Sequence, residues 1–124
     1  MDAKKVLIVD NCKSTSLTFK RILQRNDFEV DESEDGKKAL EKMQTKCYDA
    51  VLINLENTEV DGKDLLLFAK KNLPTAARLV TIGFPSLKDR IKALKSGADA
   101  VFAKPVSPEM LITVIKETIF KQPK

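Results

Sequence analysis

The chain has 124 residues, of which 43% are hydrophobic and 32% charged, with a formal net charge of +4. This length fits one domain, which buries roughly 65% of its unfolded-chain surface and needs no disulfide or metal to fold. No apolar stretch approaches the roughly 20 residues that cross a bilayer, and no signal peptide precedes the first apolar run. We therefore expect a cytoplasmic protein with no membrane partner.

The excess of positive charge does not indicate a nucleic-acid partner. Basic residues occur on every predicted helix with acidic residues among them, and the chain has one Tyr and no Trp to stack on bases. Solvated helix faces explain this pattern. We expect no nucleic-acid binding by this domain.

Five short apolar runs alternate with five helical patterns. In chain order, the predicted elements are a strand at 4–10, a helix at 14–25, a strand at 28–34, a helix at 36–46, a strand at 50–54, a helix at 62–72, a strand at 78–82, a helix between Ser86 and Gly97, a strand at 100–103 and a helix after Ser107. The first and third strands are almost continuously apolar, as in parallel strands covered on both faces. The second strand is more polar and suits a sheet edge.

Helix boundaries have recognisable signals. Asp61 is a predicted N-cap for the third helix, and Ser86 with Asp89 forms a capping box for the fourth. On the fourth helix Leu87, Ile91 and Leu94 recur at i, i+4 and i+7, the spacing of an amphipathic helix.

Strict alternation of strands and helices with short loops predicts a doubly wound α/β sandwich. We expect one domain over residues 1–121, followed by a frayed polar tail at 122–124.

Three predicted strands end in polar residues. The first ends at Asp10 and Asn11, the third at Asn54, and the fifth at Lys104, which precedes Pro105. Because ligands of such sheets bind at the carboxyl ends of the strands, these residues are the candidate site.

The sequence resembles the receiver domain of two-component response regulators over essentially its whole length. The resemblance rests on the order and spacing of short segments, which are 4–10, 34–36 with Ala39 and Leu40, 48–55, 61–62, 93–99 and 102–105. It implies a flavodoxin-like (βα)5 fold, with five parallel strands in the order 2-1-3-4-5, and a place in phosphorelay signal transduction.

The resemblance also assigns roles to positions of this chain. Asn54 stands where the family has its phosphoacceptor aspartate, and Asp10 with Asn11 stands where it has a pair of acids that hold magnesium. Ile82 replaces a Ser or Thr, and Lys104 matches a lysine, both of which contact the phosphoryl group in the family. Val101 stands where the family has its switch aromatic residue. Pro105 matches a proline that follows a cis peptide bond in the family.

An amide is not a carboxylate nucleophile, so no acyl phosphate is expected on Asn54. With Asp10 and Lys104 the pocket has about zero net charge, so we expect no cofactor and weak or absent magnesium binding. Glu56 with Asp10 is a weaker possibility for a metal site. We expect Lys104 to be held by Asp10 and by the side-chain oxygen of Asn54.

The leading prediction is a pseudo-receiver that acts as a phosphorylation-independent protein-interaction module and is not an enzyme. Its partner is expected to bind the face formed by the fourth helix, fifth strand and fifth helix. The residues singled out in that region are Lys88, Lys92, Lys95, Ala103 and Met110.

Three alternatives remain open. The first is a conventional phosphoacceptor in which Asn54 is an engineered or tolerated substitution. The second is a small-molecule binder at the same crevice, and the third is an enzyme. The absence of histidine and of a nucleophile–base pair disfavours the enzyme. Cys12 is expected to be a small buried residue, with a low-pKa thiol as the alternative. The sequence leaves the partner and the oligomeric state open.

Overall fold

A computed structural model describes residues 3–56 and 62–121. Its elements are β1 (Lys5–Val9), α1 (Lys13–Arg25), β2 (Glu29–Ser33), α2 (Gly36–Thr45), β3 (Ala50–Asn54), α3 (Gly62–Asn72), β4 (Ala77–Gly83), α4 (Leu87–Lys95), β5 (Ala100–Lys104) and α5 (Pro108–Lys121). Each element begins and ends within about one residue of its predicted range. The predicted N-cap Asp61 and the tail at 122–124 lie outside the described residues.

The five strands form one parallel sheet in the order β2-β1-β3-β4-β5, as predicted. The polar strand β2 lies at one edge, and the fully buried strand β3 lies in the centre. In this register Val9 lies beside Ile53, and Asn54 lies beside Thr81. The carboxyl ends of β1, β3 and β5 are therefore on the same edge of the sheet.

The two faces of the sheet bury separate hydrophobic cores. On one face α1 and α5 contribute Phe19, Leu23, Leu111 and Ile115, which pack on strand residues such as Leu52. The core on the other face takes its helical residues from α2, α3 and α4, including Ala39, Met43, Leu65, Leu66, Ala69 and Ala93. Two apolar layers on a central sheet explain why β1 and β3 are almost continuously apolar.

The large apolar residues of α4 do not mark its buried side. Ala93 is the buried residue of this helix, whereas Leu87, Ile91 and Leu94 are exposed. Small side chains at Ala93 and at Ser96, just past the helix, face the interior, and the large apolar side chains lie on the opposite side. Apolar spacing identifies the apolar side of a helix, but it does not say what covers that side.

Local signals fix both ends of α4. Ser86 caps its first turn, since the hydroxyl accepts from the Asp89 amide at 3.1 Å and the Asp89 carboxylate accepts from the Ser86 amide at 2.9 Å. This predicted capping box is confirmed. Gly97 follows the helix with φ of +112°, a conformation that residues with a Cβ rarely adopt.

Candidate functional site

The site lies at the carboxyl edge of the sheet, where β1, β3 and β5 end. Asp10 follows β1 directly, while Asn54 and Lys104 are the last residues of β3 and β5. Asp10 and Asn54 are both buried polar residues, and the Lys104 side chain is about a quarter exposed. The structure therefore brings together three of the predicted site residues.

Asp10 is the anionic centre of this group. Its Oδ1 accepts a hydrogen bond from the Cys12 amide at 2.9 Å and another from Asn54 Nδ2 at 3.3 Å. Its Oδ2 is buried without a hydrogen-bond partner among the described residues, but Lys104 Nζ lies 3.5 Å away. The lysine thus supplies the positive charge that a buried carboxylate requires.

Both polar atoms of the Asn54 amide are occupied. Nδ2 donates to Asp10, and Oδ1 accepts from the Glu56 amide at 2.9 Å. Lys104 pairs with Asp10, and no hydrogen bond among the described residues joins it to the Asn54 oxygen, so the expectation that this oxygen also holds Lys104 is wrong. The Glu56 amide lies two residues along the chain, so its hydrogen bond to this oxygen needs no ordering of a long side chain.

Glu56 connects the end of β3 to the end of β4. Its Oε1 accepts from the Gly83 amide at 2.9 Å. A cleft of about 350 Å³ opens beside this contact and is lined by Lys63, Ile82, Ala93 and six more residues besides Glu56. Sequence reasoning missed Gly83, because a backbone donor at a strand end has no side-chain signature.

The other predicted positions lie around this centre. Ile82 is buried, Val101 packs partly buried against the core beneath α2, α3 and α4, and Asn11 is exposed. Thr81 is buried and its hydroxyl has no hydrogen-bond partner among the described residues. Side chains of adjacent strand residues point to opposite faces, so Thr81 does not share the surroundings of Ile82. The Lys104–Pro105 peptide bond is cis.

Cys12, between Asp10 and α1, is exposed, so the expectation of a buried residue is wrong. Its sulfur lies 3.3 Å from the Ser14 hydroxyl, and it accepts from the Thr15 hydroxyl at the same distance. These hydrogen bonds, with one from the Thr15 backbone, lower the pKa of the Cys12 thiol to about 7. The chain turns into α1 here, which places the hydroxyls of the first helical turn beside the sulfur.

The order of the strands and the polar carboxyl edge of the sheet are those of the CheY-like flavodoxin fold. A CheY-like response regulator receiver domain protein from Methanospirillum hungatei JF-1 superposes with a TM-score of 0.92 at 30% identity, covering 98% of this chain and 97% of that one. Over residues 6–116 the sequence matches the response regulator receiver domain family. The chain belongs to this family, whose members work in two-component signalling.

Curated relatives extend beyond the region that this chain matches. Response regulator ArlR of Staphylococcus saprophyticus is 28% identical over 119 residues, which are 96% of this chain and 54% of ArlR. The aerobic respiration control sensor protein ArcB of Escherichia coli is 29% identical over 94% of this chain and 15% of ArcB. The chain thus spans about half of one relative and a small part of the other. Among the described residues, no helix is long and apolar enough to cross a membrane.

Proposed function

We propose that this receiver domain signals through protein contacts without accepting a phosphoryl group. The observation that carries the proposal is the amide of Asn54, whose nitrogen donates to Asp10 and whose oxygen accepts from the Glu56 backbone. An amide nitrogen shares its lone pair with the carbonyl group and is not a nucleophile. Asn54 is therefore a structural link between β1 and the loop after β3.

The charges at the site support the same proposal. A magnesium ion prefers several hard oxygen ligands, among them one or two carboxylates. Asp10 is the carboxylate of this centre, and Lys104 Nζ lies 3.5 Å from its free oxygen, where a cation would bind. The Glu56 carboxylate is bonded to the Gly83 amide instead. These side chains do not fit a magnesium ion, and we propose that the domain works without one.

The residues at the switch positions also support a signal that does not depend on phosphorylation. Ile82 and Val101 are β-branched and aliphatic, so they offer no hydrogen bond to a phosphoryl oxygen and have restricted χ1 angles. We expect one dominant conformation of the surface formed by α4, β5 and α5. This surface is the proposed binding face for a protein partner, and no catalysed reaction is proposed for the domain.

The proposal is tested with a small-molecule phosphodonor, acetyl phosphate, in the presence of Mg²⁺. Intact-mass spectrometry of the chain should show no added phosphoryl group, whose mass is about 80 Da. A receiver domain that retains the acceptor aspartate serves as the positive control. A stoichiometric adduct on this chain that hydroxylamine removes, as it removes acyl phosphates, would overturn the proposal.

The second candidate function is the conventional one, in which the domain takes a phosphoryl group from a histidine kinase. Membership of the family favours it, and so does the retention of Asp10 and Lys104 at the carboxyl edge. It requires a nucleophile at the end of β3, and the mass measurement distinguishes it directly from the first proposal.

A further inference from the structure

The cleft beside Glu56 has the size and the apolar lining of a small-molecule site. Its volume is about 350 Å³, and it lies between α3, α4 and the ends of β3 and β4. The apolar part of its lining comes from Leu55, Leu66 and Ile82. Small-molecule sites have volumes of roughly 300–1,000 Å³ and combine an apolar lining with a few polar groups. The cleft therefore suits a small ligand that has an aliphatic part.

The inward side of α4 forms one wall of this cleft. Four lining residues recur at i, i+3, i+4 and i+7 and so share one side of the helical path; they are Asp89, Lys92, Ala93 and Ser96. Two of them, Ala93 and Ser96, have small side chains, so α4 does not fill the space in front of Ile82. The other two add one charge of each sign at the margin of the same space.

Two opposite charges line the cleft without pairing with each other. Within residues 3–56 and 62–121, Lys92 forms no ion pair. Glu56 accepts from the Gly83 amide through Oε1, at 2.9 Å, and its Oε2 accepts no hydrogen bond from the described part of the chain. The second carboxylate of the lining, that of Asp89, is engaged by the Ser86 amide at 2.9 Å. An ammonium group and a carboxylate oxygen thus remain available in one cleft.

A ligand that carries both a carboxylate and an ammonium group complements these charges. Its carboxylate would pair with Lys92, and its ammonium group would pair with Glu56 Oε2. An ion of a single charge is a poorer occupant, because it would meet a group of its own sign within the same small cleft. Charge-assisted hydrogen bonds of this kind are stronger than neutral ones and orient a ligand.

We propose that this cleft binds a free α-amino acid with an aliphatic side chain, such as leucine. The aliphatic side chain would contact Leu66 and Ile82, while the two charged groups bind Lys92 and Glu56. The proposal goes beyond the proposed function, since it requires neither a phosphoryl group nor a protein partner. A ligand with about nine non-hydrogen atoms should bind with a Kd of roughly 10 µM to 1 mM.

The test is a titration of the ¹⁵N-labelled chain with L-leucine, followed through its amide chemical shifts. The shifts should saturate, and the largest changes should occur at Gly83, Ala93 and Ser96. Three analogues each lack one group of the ligand: 4-methylpentanoate lacks the ammonium group, 3-methylbutylamine lacks the carboxylate, and glycine lacks the aliphatic side chain. Each analogue should bind at least about tenfold more weakly than leucine, because it loses one charged contact or the apolar contact.

Variants of the chain assign each charge of the ligand to its partner. Lys92→Met and Glu56→Gln each remove one charge and keep a side chain of similar length, and each should weaken leucine binding at least about tenfold. Lys92→Met should not weaken binding of 3-methylbutylamine, and Glu56→Gln should not weaken binding of 4-methylpentanoate, as in a double-mutant cycle. The matched control Lys95→Met, at an exposed position of α4 outside the cleft, should leave leucine binding unchanged. Circular dichroism and thermal unfolding confirm that each variant is folded.

Three results would overturn the proposal. The first is the absence of saturable shifts up to about 10 mM leucine, ten times the weakest expected Kd. The second is binding of 4-methylpentanoate or of 3-methylbutylamine as tight as that of leucine, which would make the cleft a site for a simple anion or a simple cation. The third is a loss of leucine binding in Lys95→Met as large as that in Lys92→Met, which would place the ligand outside the cleft. None of these measurements involves phosphorylation, so they fail or succeed independently of the mass-spectrometric test.

Discussion

Replacing Asn54 with Asp restores the family's acceptor residue by a change of one side-chain group. In this chain the change removes the hydrogen bond from Asn54 Nδ2 to Asp10 Oδ1, which spans 3.3 Å, and puts two buried carboxylates in contact. Like charges at this distance oppose each other. We therefore expect Asn54→Asp to destabilise the fold at neutral pH.

The distance sets the size of the effect. Two unit charges 3.3 Å apart repel by about 5 kcal/mol at an effective dielectric constant of about 20. Protonation of the introduced carboxyl group limits the loss, because moving its pKa from about 3.9 to 7 costs about 4 kcal/mol. Lys104, 3.5 Å from the other oxygen of Asp10, offsets part of this repulsion. The expected loss of unfolding free energy at pH 7 is about 2–4 kcal/mol.

Urea denaturation without divalent cations measures this loss. The introduced carboxyl group has a raised pKa in the folded state, so the folded state binds more protons than the unfolded state above about pH 4. The deficit of Asn54→Asp should therefore grow from pH 4 to pH 7 and nearly vanish below pH 4. Asn11→Asp, which adds the same charge at an exposed position, should change stability by less than about 1 kcal/mol.

A deficit of Asn54→Asp at pH 7 that is no larger than that of Asn11→Asp would refute the reasoning. The same variant carries a functional expectation. Ile82 still offers no hydroxyl and Lys104 still pairs with Asp10, so Asn54→Asp alone should not give efficient Mg²⁺-dependent phosphoryl uptake. Efficient uptake would show that neither Ile82 nor the pairing of Lys104 with Asp10 prevents phosphorylation of this site.

Three further predictions concern stability in denaturant. Lys104→Met should cost about 2–4 kcal/mol, because it leaves the Asp10 carboxylate buried without its counter-charge. Gly97→Ala should cost about 1–3 kcal/mol, since its φ is +112° and an added Cβ would lie 2.8 Å from a side-chain carbon. Tyr48→Phe should cost about 1 kcal/mol at pH 7 by removing the 2.7 Å hydrogen bond to Asp31. That bond lowers the pKa of Asp31, so this difference should shrink as pH falls below about 4.

Two of these variants have matched controls. Lys46→Met breaks an ion pair of 3.3 Å between partly exposed side chains and should cost at most about 1 kcal/mol. Gly83→Ala adds a Cβ in ordinary contact with Glu56, at 3.4 Å and without a positive φ, so it should cost less than Gly97→Ala. A Tyr48→Phe deficit that stays constant down to pH 3 would contradict the assignment of the effect to the Asp31 carboxylate.

The strand ends show how much of the site was accessible from sequence. Alternating apolar runs and helical patterns predict parallel strands, and parallel strands bring their carboxyl ends to one edge. The meeting of Asp10, Asn54 and Lys104 follows from this topology alone. Their hydrogen bonds do not follow from it, because they depend on local turns. Asn54 accepts from Glu56, two residues away, and Glu56 reaches Gly83 across the sheet.

The exposure of Leu87, Ile91 and Leu94 on α4 could not be predicted from the sequence, for a different reason. Amphipathic spacing is the same whether a helix presents its apolar side to its own core or to another protein. In α4 the choice is made by Ala93, whose small side chain lets the helix lie close to the sheet on that side. A helix with large apolar residues on one side and a small residue on the other can therefore pack on the sheet in two orientations. Either the large residues or the small residue face the core.

The internally bonded Asn54 and the exposure of α4 fit together in one physical scheme. A receiver controlled by phosphorylation needs a surface that changes with the state of its site, whereas this site is held by internal hydrogen bonds and one ion pair. An apolar surface that is exposed in the unmodified chain needs no such change to bind. Control would then come from the availability of the partner protein, because a ligand shifts an equilibrium only by its differential affinity for the two states. Mutations at the carboxyl edge that preserve the fold should consequently leave binding at α4 unaltered.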